Sequence, residues 1–321
     1  MKKKAAVIDM GTNTFHLLMI AFDNNGFEVI YQEKVPVKIG QGGINQNIIL
    51  PEAEKRGLHT LSHFKNLING EGISRIFAFA TSAVRNADNG YAFIQKIKQQ
   101  TGIKAQVIDG EREAELIYKG IRLSACLNSD NALMMDIGGG SVEFIIGNAH
   151  EIHWKGSFEI GGQRLLDMFH YHDPILPEEV EKLSSYLSEK LAPLIEAIKR
   201  YSPQQLIGAS GTFDTLTDMY LASEGKKKDR KIIRHILPVA AFETIASDLL
   251  LLDKAHRLKI PGMIPMRVDM IVVASCLIRF ITQFIPTHQL ICSTYSLKEG
   301  AVSEAMAKAE EIKNTSLTPT Q

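Results

Sequence analysis

The sequence predicts an α/β protein of two lobes, each built on a mixed β-sheet, around a central cleft. Three observations carry this. Strand and helix patterns run β-β-β-α-β-α-β-α and then repeat in much the same order, with no low-complexity linker between the halves. A glycine-rich turn between two apolar strands occurs once in each half, at Ile8–Thr14 and Met135–Ser141. Asp9, Gly11 and Thr14 of the first turn are spaced as Asp136, Gly138 and Ser141 of the second, and such self-similarity marks related structural units.

Composition narrows the function classes. The 321 residues suffice for two domains with buried cores, and 45% apolar with 22% charged residues is the balance of a soluble globular chain. Formal net charge is zero, so no long-range field draws in DNA, and any anion site must be local. Cys126, Cys276 and Cys292 have no paired spacing, which suits a reducing cytoplasm. The basic opening, MKKKAAVIDMG, is interrupted by Asp9 after a short apolar run and reads as the start of a strand. Met270–Phe284 is the most apolar late segment, but with Arg279 and Gln283 it is too short and too polar to span a bilayer. The expectation is a cytoplasmic protein with neither membrane nor DNA as partner.

The second turn shows the chemistry best. An apolar strand ends on Asp136, Gly138, Gly139 and Gly140 follow, and Ser141 opens another strand. Successive backbone N–H groups in such a turn form a concave anion site. A carboxylate beside a bound phosphate repels it unless a hard divalent cation lies between, so the pattern points to phosphate plus Mg²⁺. An ordinary hairpin would look similar. The first-half turn, with Asp9, Gly11, Thr12, Asn13 and Thr14, repeats the pattern and makes chance the poorer account.

Taken in order, a strand over Val29–Ile39 leads through Gly40–Gly43 to a helix over Pro51–Ile68, with proline in its first turn as helices prefer. His59 and His63 lie one turn apart there, but no third ligand is near, so they read as a solvated face. The strand Arg75–Ala80 runs into TSAVRN, where Ser82 and Arg85 suit phosphate contact; an exposed loop is the plainer alternative. A helix over Asn89–Gln100 ends at Gly102. After the strand Ile103–Ile108, Asp109 caps a helix whose Ala114, Ile117, Tyr118 and Ile121 make the buried face, while Arg112, Glu115 and Lys119 point away. Glu113 borders that face. A first-turn carboxylate ordinarily compensates the helix dipole; the functional alternative is a general base activating water.

In the second half Glu143 lies on the strand face of Ser141, either helping a metal site or simply facing outward. A strand over Ile152–Ile160 leads through Gly161–Arg164 to a helix ending near His170, and His172-Asp173-Pro174 reads as a turn. Pro177–Tyr201 reads as one long amphipathic helix bent at Pro193. The strand Gln205–Ala209 opens into Ser210-Gly211-Thr212, a third phosphate turn or an ordinary helix cap. The basic run Glu224–Arg234 is a solvated loop or a docking patch for a polyanion, and carries no aromatic residues for nucleic acid. Helices follow at Val239–Leu252 and Arg267–Ile285, a strand at Leu290–Cys292, a helix at Ser296–Lys313 and a polar tail over Thr315–Gln321. The apolar Met263–Phe284 region is either core or a homodimer face.

These motifs together resemble the exopolyphosphatase/guanosine pentaphosphate phosphatase family, within the actin, sugar-kinase and heat-shock ATPase superfamily. The resemblance runs through IDMGTNTFHLL, ATSAVRNADN, VIDGEREAELIYKGI, MDIGGGSVEF, IGGQRL, GASGTFDTL, GMIPMRVDMI and YSLKEGAV, nearly the whole chain. It implies two RNase H-like (actin-like ATPase) lobes, here 1–125 and 126–302, with a C-terminal helix at about 303–321 packing back on the first. It also implies a Mg²⁺-dependent phosphohydrolase that releases the terminal phosphate of inorganic polyphosphate or of pppGpp. By position, the general base falls on Glu113 and the metal on Asp136 with Glu143. Phosphate contacts fall on Asp9, Gly11–Thr14, Ser82, Arg85, Gly138–Ser141 and Ser210–Thr212. His16 and Lys298 stand where the family usually has arginine, and His16 either loosens the phosphate grip or makes it pH-dependent. Longer relatives carry a further helical domain, so this chain reads as a short form. A non-catalytic ppGpp or polyphosphate sensor and a sugar-kinase-like phosphotransferase share the hairpins and are the rival readings.

Overall fold

The structure, a computed structural model, describes residues 2–23, 26–229 and 231–315. It divides into two compact units: one runs to Gly120 and takes in the helix from Leu297, the other is Ile121–Ser296. The tail expected beyond Thr315 lies outside the described residues.

In the first unit β1 (Lys3–Met10), β2 (Phe15–Asp23) and β3 (Gly26–Val35) form an antiparallel meander. There follow α1 (Pro51–Gly70), β4 (Ile76–Ala80), α2 (Ser82–Arg85), α3 (Gly90–Thr101), β5 (Ala105–Val107) and α4 (Gly110–Leu123). The sheet order is β3-β2-β1-β4-β5, with β4 and β5 parallel to β1. Central β1 and β2 are apolar on both faces because both faces are covered. Ile8, Met10 and Phe15 pack with Leu61 and Phe64 of α1 and Phe93 of α3 in one core.

One expectation changes here and one open alternative falls away. The third strand stops at Val35, before Pro36, which has no N–H to continue a ladder; Val37 and Ile39 turn into the core instead. The segment after β4 is not an exposed loop but the short helix α2, with Ser82, Ala83 and Val84 buried.

The second unit repeats the plan. Its meander is β6 (Ala132–Ile137), β7 (Val142–Gly147) and β8 (Ile152–Phe158), followed by α5 (Gly162–Phe169), α6 (Pro177–Lys190) and α7 (Ala192–Tyr201). Then come β9 (Gln205–Ala209), α8 (Ser210–Ser223), β10 (Arg234–Pro238), α9 (Val239–Leu251), α10 (Lys254–Arg257), α11 (Met270–Thr282) and β11 (Gln289–Ser293). Read from β8, the sheet runs β8-β7-β6-β9-β11-β10, the first unit's order with one added edge strand. The core gathers Leu133, Phe144, Phe213, Phe242 and the apolar face of α11.

The helix expected over Pro177–Tyr201 is two helices meeting at Leu191, because Pro193 has no N–H to bond the preceding turn and instead occupies the first turn of α7. Strand β10 lay hidden at the end of the basic run: it is short and exposed on alternate residues, as befits an edge. Within the run, Lys228 pairs with Asp214 at 2.9 Å and Asp218 at 3.5 Å. Helix α11 is buried on nearly every residue within this unit, so its stretch of Met263–Phe284 is core.

Helix α12 (Leu297–Thr315) belongs to the first unit and packs on β1. It also crosses α4 closely. A Cβ on Gly300 would overlap the Leu116 carbonyl oxygen, and Glu304 pairs with Arg112 and, at 2.6 Å, with Lys119. The α4 face expected to point away is therefore partly covered: Arg112 and Lys119 reach the last helix, and Glu115 pairs with Arg112 at 3.1 Å.

In each unit three parallel strands end side by side: β1, β4 and β5 in the first, β6, β9 and β11 in the second. The carboxyl edge of parallel strands is where open α/β sheets place ligands.

Candidate active site

In the first unit the loop after β1 is Gly11–Thr14, the short helix α2 after β4 holds Ser82 and Arg85, and the loop after β5 leads to Glu113. The first is a tight turn in which the Gly11 N–H donates to the Thr14 carbonyl at 3.1 Å. A Cβ on Gly11 would stand 3.1 Å from that same oxygen, so glycine suits the closeness of the turn. Thr12, Asn13 and Thr14 are all buried. Asp9 pairs in register with His16 across the hairpin.

Asp109 begins α4 as expected: its Oδ1 accepts from the Arg112 N–H at 2.7 Å. One residue on, Glu113 is buried and its Oε2 lies 2.9 Å from Arg85 Nη1. That nitrogen also donates to the Ile108 carbonyl at 3.1 Å. Arg85 thus holds the carboxylate in place, a role the sequence reading did not give it. Ser82 Oγ accepts from Asn86 Nδ2 at 3.3 Å.

The second unit holds the matching turn. Asp136 and Glu143 face each other in register across the β6–β7 hairpin, both buried. Cross-strand partners lie on one face of a sheet, so two carboxylates share one dry patch. Ser296 Oγ donates to Asp136 Oδ2, and Ser157 Oγ donates to Glu143 Oε1 at 2.8 Å. Between them the loop Gly138–Ser141 has its carbonyls occupied: Gly162 N–H bonds Gly138 O at 2.9 Å, Gln163 N–H bonds Gly139 O at 2.8 Å and Gly161 N–H bonds Gly140 O at 3.1 Å. Among the described residues no acceptor meets the N–H groups of Gly139, Gly140 or Ser141. Three adjacent N–H groups without an acceptor give this loop the kind of donors an anion nest needs.

The turn after β9 adds a second set. Ser210 has φ of 72°, an uncommon backbone for serine, and Thr212 is buried at the start of α8. Over Gly211 lies the guanidinium of Arg267, close enough that a Cβ there would overlap it. Arg267 Nε is buried without a partner among the described residues. Burial pulls its pKa down, while Asp214 and Asp136 act to hold it up. A buried guanidinium over a hydroxyl-glycine turn, with Nε unpartnered among the described residues, is suited to an anionic ligand. The sequence reading gave Arg267 no role; its only local signal was a lone arginine among the apolar residues of GMIPMRVDM.

Among the described residues no cluster of three or more His, Cys, Asp or Glu could hold a metal alone. Asp136 and Glu143 still fit Mg²⁺, which binds through one or two carboxylates, water and substrate phosphate oxygens. His63 lies 2.9 Å from Glu33 and His172 2.9 Å from Glu179, so these histidines make local side-chain contacts.

Comparison with known proteins identifies the family and the fold. A profile of the Ppx/GppA phosphatase family matches residues 19–309. A solved exopolyphosphatase from Cytophaga hutchinsonii superposes with a TM-score of 0.93 at 43% identity, covering 95% of this chain and 98% of that one. A solved Aquifex aeolicus Ppx/GppA protein, at 21% identity and a TM-score of 0.80 over 96% of this chain and 99% of that one, shares the fold. The fold is the actin-like ATPase fold. Among curated relatives, a bifunctional 3-dehydroquinate synthase/phosphatase from Fusobacterium nucleatum is 30% identical over 94% of this chain and 46% of its own length. A guanosine-5'-triphosphate,3'-diphosphate pyrophosphatase from Photobacterium profundum is 26% identical over 98% of this chain and 62% of its own. The chain thus spans roughly half to two-thirds of the curated relatives it matches. No helix among the described residues is long and apolar enough to cross a membrane.

Proposed function

This chain belongs to the Ppx/GppA phosphatase family, and from that premise we propose that it hydrolyses the terminal phosphoanhydride of inorganic polyphosphate. The observation that carries the proposal is the buried Glu113 carboxylate, fixed by Arg85 at 2.9 Å at the carboxyl edge of the parallel strands. A base held rigidly there suits abstraction of a proton from water, whose oxygen attacks the terminal phosphorus. The bond from that phosphorus to its bridging oxygen breaks, and the proton passes to Glu113.

The remaining residues bind and orient. In the second unit the N–H groups of Gly139–Ser141 would donate to phosphoryl oxygens; in the first, the Gly11–Thr14 turn would offer its buried hydroxyls to phosphate. Arg267 would offset further phosphate charge beside Ser210–Thr212. Asp136 and Glu143 would hold Mg²⁺, which when bound supplies neutralising charge to the phosphate oxygens.

Polyphosphate is preferred because the solved relative named an exopolyphosphatase is 43% identical and matched along nearly its whole length. A second reading, pppGpp, rests on the curated relative named for that nucleotide at 26% identity. A non-catalytic sensor would keep the glycine turns without needing Glu113, and a sugar kinase would need a sugar acceptor. Orthophosphate release is measured with Mg²⁺ on polyphosphates of several lengths, pppGpp and ATP. Release from polyphosphate supports the proposal; ATP turnover that yields ADP and a sugar phosphate only when an acceptor sugar is added, or binding without release, overturns it.

A further inference from the structure

We propose that Arg164 is a positioning residue that sets the shape of the phosphate loop, an inference that rests on the reading of Gly138–Ser141 as a phosphate site. Arg164 is buried, and its Nε donates to the Gly140 carbonyl at 3.0 Å while its Nη2 reaches Glu159 Oε2 at 3.3 Å. Its own N–H adds a 3.4 Å bond to Gly139 O, beside the bonds from Gly161, Gly162 and Gln163 already described.

A glycine loop has no side chains to fix its peptide planes, and each plane can present either its oxygen or its N–H to a ligand. An outward carbonyl would repel phosphate. Occupying the oxygens of Gly138, Gly139 and Gly140 from one side leaves the N–H groups of Gly139–Ser141 for the other. The approach is close: a Cβ on Gly161 would overlap the Gly139 carbonyl carbon. Three neutral N–H donors and a charged guanidinium then share the work on Gly139 and Gly140, and charge-assisted bonds are the stronger kind.

The first unit repeats the device, which argues against accident. Lys38 N–H bonds Asn13 O at 2.9 Å and Gly40 N–H bonds Thr12 O at 3.1 Å, again from the segment after the third strand. There, too, an arginine of the next helix backs the brace: Arg56 Nε donates to Val37 O at 2.8 Å and its Nη2 to Lys38 O at 3.0 Å. The arginine touches the loop directly only in the second unit.

The test compares Arg164→Ala and Arg164→Lys with the parent chain in melting temperature, calorimetric binding of inorganic tripolyphosphate and phosphate release from it. Loop donors matter most as charge develops, so kcat should fall about 10- to 100-fold in Arg164→Ala, with affinity weakened only about 3- to 10-fold. Arg164→Lys, which keeps charge without the fork, should lie between. A purely structural role would lower the melting temperature and leave kcat of folded protein unchanged. If Arg164→Ala does not fold, Arg164→Lys decides. Parental kcat and affinity in the deciding variant overturn the proposal. A parent chain that binds tripolyphosphate but does not release phosphate defeats the functional reading instead, and Arg164 is then judged on affinity alone.

Discussion

Arg85 Nη1 lies 2.9 Å from Glu113 Oε2 and 3.1 Å from the Ile108 carbonyl, so one nitrogen ties the candidate base to the strand end behind it. Both side chains are largely buried, at 15% and 10% exposure, where losing one partner leaves the other charge uncompensated. Arg85→Ala should therefore lower kcat about 10- to 100-fold by freeing Glu113, beyond any weakening of phosphate binding. Steady-state kinetics on polyphosphate give the split; a change confined to KM would leave Arg85 as a phosphate contact only.

The crossing of α12 over α4 gives a stability prediction. Gly300→Ala places a methyl on the Leu116 carbonyl, and overpacking of this kind costs about 1–3 kcal/mol. The melting temperature should drop by several degrees, and kcat should fall with it because Glu113 sits on α4. An unchanged melting curve would show that the helices can separate freely.

The buried histidines predict how stability follows pH. Both ring nitrogens of His170 are buried without a hydrogen bond among the described residues, with Asp173 3.7 Å away. Burial, and then Arg257, push its pKa below the ordinary 6.5, outweighing Asp173, Glu179 and Asp269; burial and Lys228 do the same to His235. A lowered folded pKa means the unfolded chain binds protons first, so stability is full above about pH 6.5 and is lost as pH falls through it. Melting temperatures between pH 7.5 and 5.5 should fall for the parent and fall less for His170→Gln. A parent curve flat over that range would contradict the assignment.

The facing carboxylates predict a metal requirement. Asp136→Asn and Glu143→Gln should each raise the Mg²⁺ concentration needed for half-maximal release by about 10- to 100-fold, and a chelator should abolish release in the parent. Titration of activity against Mg²⁺ measures this; parental curves in both variants would remove the pair from the metal site.

Arg267 and Gly211 form a separate test of phosphate binding. Arg267→Ala removes a buried cation, and Gly211→Ala displaces it by filling its place. Both should weaken tripolyphosphate binding about 10-fold or more. Parental affinity in Gly211→Ala would mean that the guanidinium moves aside without cost.

What the sequence shows, and what it hides, follows from how far each feature reaches along the chain. The two hairpins are local: glycines between apolar strands specify them, and the equal spacing of Asp9–Thr14 and Asp136–Ser141 exposes the repeat. The α4 cap at Asp109 is local too. Features closed over long separations leave no such pattern. Ser296 reaches Asp136 across 160 positions, Glu304 reaches Arg112 across 192, and Arg164 reaches Gly140 across 24. Strand β10 is hidden because an exposed edge needs few apolar residues, and the break at Leu191 because a first-turn proline serves a new helix as readily as it bends an old one.

The most direct measurement is orthophosphate release by Glu113→Gln beside the parent chain, with Mg²⁺, on inorganic polyphosphate and on pppGpp. The amide keeps size and most hydrogen bonding but cannot take the proton, so kcat should fall about 10²- to 10⁴-fold with the melting temperature little changed. A folded Glu113→Gln that releases phosphate at the parental rate, or a parent chain that hydrolyses neither substrate, would contradict the account.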